Sequence, residues 1–189
     1  MALAEEAEPA LTGADQLTWL ARLHRCQNDL REGLRWFQER GACDLALRMA
    51  GALALFWRLR GCYIEGRDTL AATLEASPAE PESGRGKALW GLGFMRLMLG
   101  QLDAANGPLQ QSLEWARKRD HLPGQARSLL LLGNHALYSD GALALTLLEE
   151  SARLADDCAD TWCQAHALAL AGRVYIDRAD VTMARGVLE

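Results

Sequence analysis

Apolar residues along this chain return every three to four positions, and the strict alternation of a half-buried strand is nowhere sustained. Leu17, Leu20, Leu23, Leu30 and Leu34 show the interval. Polar or glycine-containing breaks fall at Pro9 to Gly13, Gly41, Gly61, residues 76–86 (ASPAEPESGRG), Gly100, 120–124 (DHLPG), 139–141 (SDG), Asp156 to Asp160 and Asp180. The segments between them run about 10–25 residues, the length of helices that bury one stripe. The pattern predicts an all-α protein.

One arrangement recurs within that pattern. Residues 132–155, LGNHALYSDGALALTLLEESARLA, carry a Gly inside an apolar run, a short break, and then an amphipathic run. Residues 88–116 and 167–189 follow the same plan. The interior glycines, Gly93, Gly133 and Gly172, lie 40 and 39 residues apart, and a looser copy at 48–76 puts Gly51 42 residues before Gly93. A period near 40 with two helices per unit is the mark of an α-solenoid. Gly costs a helix interior about 1 kcal/mol against Ala, and close packing of two antiparallel helices can offset that. Gly93, Gly133 and Gly172 are therefore expected to be close-approach points, with Ala105, Ala144 and Ala184 opposite.

Composition narrows the class. Half of the 189 residues are apolar, and β-branched residues are sparse, which argues against sheets. The formal net charge of -5 argues against a general nucleic-acid-binding surface, which is usually basic. Cys26, Cys43, Cys62, Cys158 and Cys163 form no C-x-x-C pair. An odd, scattered set reads as reduced, packed thiols of a cytoplasmic protein. No 18-residue uncharged apolar stretch is present, so no membrane span is expected. The acidic start, MALAEEAEPALTG, lacks the basic region of a signal peptide.

The order apolar-Gly, about seven residues, a turn, Ala and a Leu-rich amphipathic helix resembles tetratricopeptide repeats. Arg96 stands where that family favours an aromatic residue, so the first clear repeat is degenerate. The long period suggests the extended variety. Residues 19–77 resemble the segment that follows the nucleotide-binding and winged-helix modules of bacterial STAND-class predicted ATPases, often LuxR-type transcriptional regulators. Trp19-Leu20 with Leu23, Asn28-Asp29-Leu30-Arg31, Leu34-Arg35-Trp36, Leu45-Ala46-Leu47-Arg48, Phe56-Trp57, and Arg60-Gly61 with Glu65-Gly66-Arg67 carry the likeness. The family more often has Asp before Asn than the Asn28-Asp29 order found here. LLEESARLA (147–155) fits the same group's repeats.

The resemblance implies a right-handed α-α superhelix, a solenoid of antiparallel helix pairs. Residues 1–78 would form an N-terminal helical region with one degenerate repeat at about 42–78. Residues 79–189 would hold repeats at about 85–123, 124–163 and a truncated 164–189, in one continuous solenoid. The chain ends at MARGVLE, midway through the second helix of a repeat. It is therefore expected to be a piece of a longer protein, with Val187 and Leu188 poorly covered and self-association through that end. There is no G-x-x-x-x-G-K-[ST] phosphate loop and no basic reading helix. ATPase and direct nucleic-acid binding are thus not expected of these residues.

Tetratricopeptide arrays bind on the face lined by each unit's first helix. Counting from the glycines, the resemblance places there Lys87, Trp90, Phe94 and Leu97, then Arg127, Leu130, Asn134 and Leu137, then His166, Ala169, Arg173 and Ile176. Lys87, Arg127 and His166 align one repeat apart, with Asn134 and Arg173 on an adjacent row. Two readings fit: a site for a carboxylate-bearing peptide or acidic partner, or ordinary solvated heads on a polar face. Of the six tryptophans, Trp90 is the candidate groove wall. His24, His121, His135 and His166 form no metal-ligand spacing. Cys158 and Cys163 are poorly spaced for metal or redox chemistry, and Glu149-Glu150 and Asp156-Asp157 read as charged helix surface. No G-x-S-x-G or nucleophile–base arrangement exists. The sequence thus points to a non-catalytic, cofactor-free interaction or sensor domain of a signalling ATPase or transcriptional regulator. Its partner would be a protein or peptide, including other domains of a longer chain. The alternative is a free-standing adaptor that docks an acidic peptide.

Overall fold

The computed structural model describes residues 1–78, 83–178 and 181–188, except for the side chains of 181, 187 and 188. The expectation for Val187 and Leu188 lies outside the described side chains. The helices are α1 (Ala2–Ala10), α2 (Gln16–Arg25), α3 (Gln27–Glu39), α4 (Cys43–Ala52), α5 (Ala54–Arg60), α6 (Tyr63–Glu75), α7 (Arg85–Met98), α8 (Leu102–Arg117), α9 (Leu122–Ala136), α10 (Gly141–Asp157), α11 (Thr161–Asp177) and α12 (Val181–Leu188). No strand occurs among the described residues, and the protein is all-α. The helices α6, α8, α10 and α12 start at residues 63, 102, 141 and 181, which is 39, 39 and 40 residues apart.

The turns repeat as closely as the helices. Gly41, Gly61, Gly100, Asp120 and Ala159 all take positive φ just past a helix end. The next residue's N–H then bonds back five residues: Ala42 to Phe37, Cys62 to Trp57, Gln101 to Arg96, His121 to Ala116 and Asp160 to Ala155, each at 2.9 Å. These are Schellman closures, which satisfy helix-end carbonyls and reverse the chain within two residues. Three use Gly, which enters the left-handed region freely, and two do not. Ala159 at φ 56 carries a Cβ penalty that Gly lacks. Ala159→Gly is expected to raise stability by about 0.5–1 kcal/mol, read from a denaturant midpoint at constant slope; no gain would mean that the turn is not held in this form.

The chain divides into two compact units, Met1–Pro108 and Leu109–Glu189. In the first, α4 and α7 lie side by side. Gly51 faces the Lys87 side chain and the Ala88 backbone, and Gly91 faces Ala54. Residue numbers rise together, so α4–α5 and α7 run parallel. Gly66 meets Met95 while Leu70 meets Gly91, so α6 is antiparallel to α7. The helix α3 lies parallel to α6, tied by Arg31 donating to Glu65 at 2.7 Å and Gln38 donating to Thr73 at 2.9 Å. Leu47, Met49, Phe56, Leu70 and Met95 are fully buried in this core. Pro108 inside α8 has no N–H for the Ala104 carbonyl four residues back. Arg96 fills that gap, donating from Nη1 at 2.7 Å.

In the second unit, α9 and α10 are antiparallel. Ser151 donates to the Ala126 carbonyl at 2.8 Å, near the start of α9. Near its end, a Cβ on Gly133 would lie 2.7 Å from Leu148 Cγ and 3.4 Å from the Ala144 carbonyl oxygen. The closest neighbour of Gly133 is thus Leu148, with Ala144 contributing backbone. The helix α11 packs antiparallel on α10: Tyr175 donates to Glu149 at 2.6 Å, and Gln164 donates to Asp156 at 3.1 Å. Ser112 and Ser128 form a buried hydroxyl pair at 3.0 Å, so neither desolvated group is left unpaired. The His121 ring accepts the Gly124 N–H at 3.0 Å and caps α9.

Candidate functional site

The positions on the first helices fall into three groups. Lys87, in the first turn of α7, is exposed, and its Nζ lies 2.6 Å from Glu8 Oε2 on α1. Arg48 on α4 is held likewise: its Nη2 is 2.7 Å from Glu5 Oε1. So α1, through two carboxylates one helical turn apart, spans the neighbouring helices α4 and α7. Ala4, Ala7 and Leu11 form its buried edge.

Trp90 and Phe94 on α7 are core residues, 5% and 4% exposed. Their rings pack with centroids 5.1 Å apart. The guanidinium of Arg58 lies over Phe94 at 5.4 Å, and its Nε is buried without a hydrogen-bond partner.

In the second unit, Arg127 donates from Nε to Asp160 Oδ2 at 2.7 Å. The other carboxylate oxygen of Asp160 accepts the Cys163 N–H at 3.0 Å and caps α11. One side chain therefore closes the helix end and neutralises a half-buried cation on α9. Arg127 also lies 5.9 Å from the Trp162 ring. His166 packs on that ring at 4.3 Å, with Nδ1 2.8 Å from the Trp162 carbonyl. A carbonyl accepts only, so this Nδ1 carries the proton. Arg127, Trp162 and His166 thus form one cluster about Asp160.

Asn134 is half-buried and Arg173 exposed, and neither has a hydrogen-bond or ion-pair partner among the described residues. Gly93, Gly133 and Gly172 are all buried. The sequence pattern did not reveal Glu5, Glu8 and Asp160, the carboxylates that take up the cations. The acidic run at residues 5–8 was the available signal for the first two; for Asp160 it was the position before an apolar helix, an N-cap preference.

No group of three or more His, Cys, Asp or Glu side chains suited to a metal ion occurs among the described residues. No helix there is long and apolar enough to cross a membrane. Cys163 is fully buried, and desolvation pushes its thiol up to about 11, against an ordinary value of 9.0. The folded protein therefore holds this proton more tightly than the unfolded chain. The resulting stability is complete below pH 9 and is lost as pH rises towards 11. Relative to a Cys163→Ala variant, the wild type should lose about 2 kcal/mol over that range, measured by urea unfolding at each pH. Parallel curves would contradict the burial. Around Glu65, hydrogen bonding from Arg31 holds the carboxyl below its usual range.

No family model matches the chain, and no curated protein matches it. Among solved structures, the crystal structure of BtubC (BKLC) from P. vanneervenii is similar at a TM-score of 0.70. The match covers 98% of this chain and 84% of that one, at 19% sequence identity. At that identity the likeness concerns the fold alone: this chain is an all-α protein whose helices follow a path similar to that of BtubC.

Proposed function

We propose that this chain is a non-catalytic helical-repeat interaction domain, a tetratricopeptide-like right-handed superhelix that binds a protein or peptide partner in the cytoplasm. The observation that carries the reading is the repeated unit itself. Second helices begin every 39–40 residues, and five turns share one hydrogen-bond closure. A repeated scaffold of this kind presents equivalent side chains along a surface, which suits extended partners. The resemblance to the repeat region of STAND-class regulators supports a role as the sensing part of a signalling ATPase or transcription regulator. A ligand there would bias an off/on equilibrium by no more than its differential affinity for the two states.

The free-standing adaptor reading is favoured by one observation: Arg173 and Asn134 are uncommitted polar side chains among the described residues. Arg127 is a poorer probe of binding than Arg173, because its removal also breaks the bond to Asp160. Arg173→Glu is expected to weaken binding of an acidic peptide library at least tenfold in a fluorescence-polarisation screen, without changing the melting temperature. Equal binding by wild type and variant would reject acidic recognition on that face.

A further inference from the structure

The helix α1 has an unusual composition for a permanent part of a core. It is nine residues long and contains Pro9, so the Glu5 carbonyl has no N–H four residues on. Its buried edge is two alanines, continued by Leu11 just beyond its end. Helices this short are marginal in water without packing, and alanine offers little apolar area. What distinguishes the contact is charge. Glu5 meets Arg48 and Glu8 meets Lys87, and the two cations stand on the neighbouring helices α4 and α7. The remaining acid on this helix, Glu6, is exposed and unpaired among the described residues.

We infer that α1 is a detachable strap, and that the surface beneath it takes an acidic, small-residue helix from a partner in the same way. The pattern Ala4-Glu5-x-Ala7-Glu8-x-x-Leu11 states what that surface recognises: two carboxylates three residues apart, small residues beside them, and one larger apolar residue a turn later. The cations are one α4–α7 spacing apart, and Gly51 and Gly84 keep the helices beneath close enough for both to be reached. Arg48 also lies 3.8 Å from Asp44, so it stays oriented when α1 leaves. The tether through Thr12 to Asp15 keeps the strap at high effective concentration, so a partner must compete with it. The inference rests on reading the first-helix face as a binding surface, and it concerns the first unit only.

The test uses the full chain and a labelled peptide of residues 1–14, MALAEEAEPALTGA. Three proteins are compared: wild type, Glu5→Gln/Glu8→Gln, and Arg48→Glu/Lys87→Glu, with Glu6→Gln as the control. Polarisation should show the peptide binding the Glu5→Gln/Glu8→Gln protein at least tenfold more tightly than wild type or the Glu6→Gln control. It should not bind the Arg48→Glu/Lys87→Glu protein. Hydrogen exchange of the α1 amides should accelerate at least tenfold in Glu5→Gln/Glu8→Gln while α4 and α7 keep their protection. That measurement needs no partner and shows directly whether the strap opens with its underlying helices intact. Equal peptide affinity across wild type and Glu5→Gln/Glu8→Gln, or α1 amides exchanging only together with α4, would overturn the inference. Acidic peptides that bind in an Arg173-dependent way, indifferent to Glu5 and Glu8, would leave the interaction-domain reading standing and remove the strap.

Discussion

Gly84→Ala should destabilise the protein by about 3 kcal/mol and lower its melting temperature by about 6–12 °C. Gly84 precedes α7 and rests on the backbone of α4. A Cβ there would run into Arg48 N and would sit 2.7 Å from the Leu47 carbonyl carbon and 2.8 Å from Arg48 Cα. Backbone inside a packed helix cannot step aside as a side-chain tip can. The strand of chain entering α7 is also pinned: Asp44 accepts from the N–H and hydroxyl of Ser83, each at 2.8 Å. Relieving the clash therefore means lifting α7 off α4 or breaking that anchor. Gly33→Ala is the counterpart. Gly33 lies in the interior of α3, and a Cβ there would make only an ordinary contact, 3.5 Å from Met49 Cε at the end of a flexible side chain, so the change should stabilise by up to about 1 kcal/mol. Calorimetric melts of the two variants check both signs. A neutral Gly84→Ala would mean that α4 and α7 do not approach at this point.

The second large effect is expected at Asp160. Asp160→Ala should cost about 2–3 kcal/mol, combining a lost helix cap with a charge-assisted hydrogen bond. The side chains of Arg127 and Asp160 are 24% and 10% exposed, so water only partly replaces the lost carboxylate. Asp160→Asn keeps an acceptor for the Cys163 N–H and should lose about half as much. A double-mutant cycle with Arg127→Ala should give a coupling of about 1 kcal/mol or more. Coupling near zero would show that the cap alone matters and that Arg127 is a solvated head.

Much of the helical organisation was legible in the chain. The three-to-four residue interval marks helices because one side must be buried and the other wetted. Gly41, Gly61 and Gly100 mark helix ends because only a residue without Cβ enters the left-handed region freely. The same closure at Asp120 and Ala159 was less visible, since those residues adopt it against their own preference. The interior Gly133 pointed to a close approach, but the sequence pattern offered Ala144 as its neighbour. Leu148 fills the space, because the helix pair meets one turn further along.

The candidate site was less legible, for a reason that concerns charge rather than helices. Counting from the glycines, the resemblance put Lys87, Arg127 and His166 in equivalent places, and it could not say what faces them. Glu8 is 79 positions from Lys87, and Asp160 is 33 from Arg127. Nothing local links such residues. Trp90 and Phe94 likewise entered the core because neighbouring helices close over them, which a single helix's periodicity does not record.

By itself, then, the sequence determined an all-α chain, the rhythm of its helices and most of the points where it turns, since these depend on side-chain polarity and backbone freedom over a few residues. The tertiary structure alone decided which cations are neutralised, which aromatic rings are wetted and which glycines touch backbone. Those outcomes depend on distances between segments far apart in the chain, where a shift of one turn changes every partner.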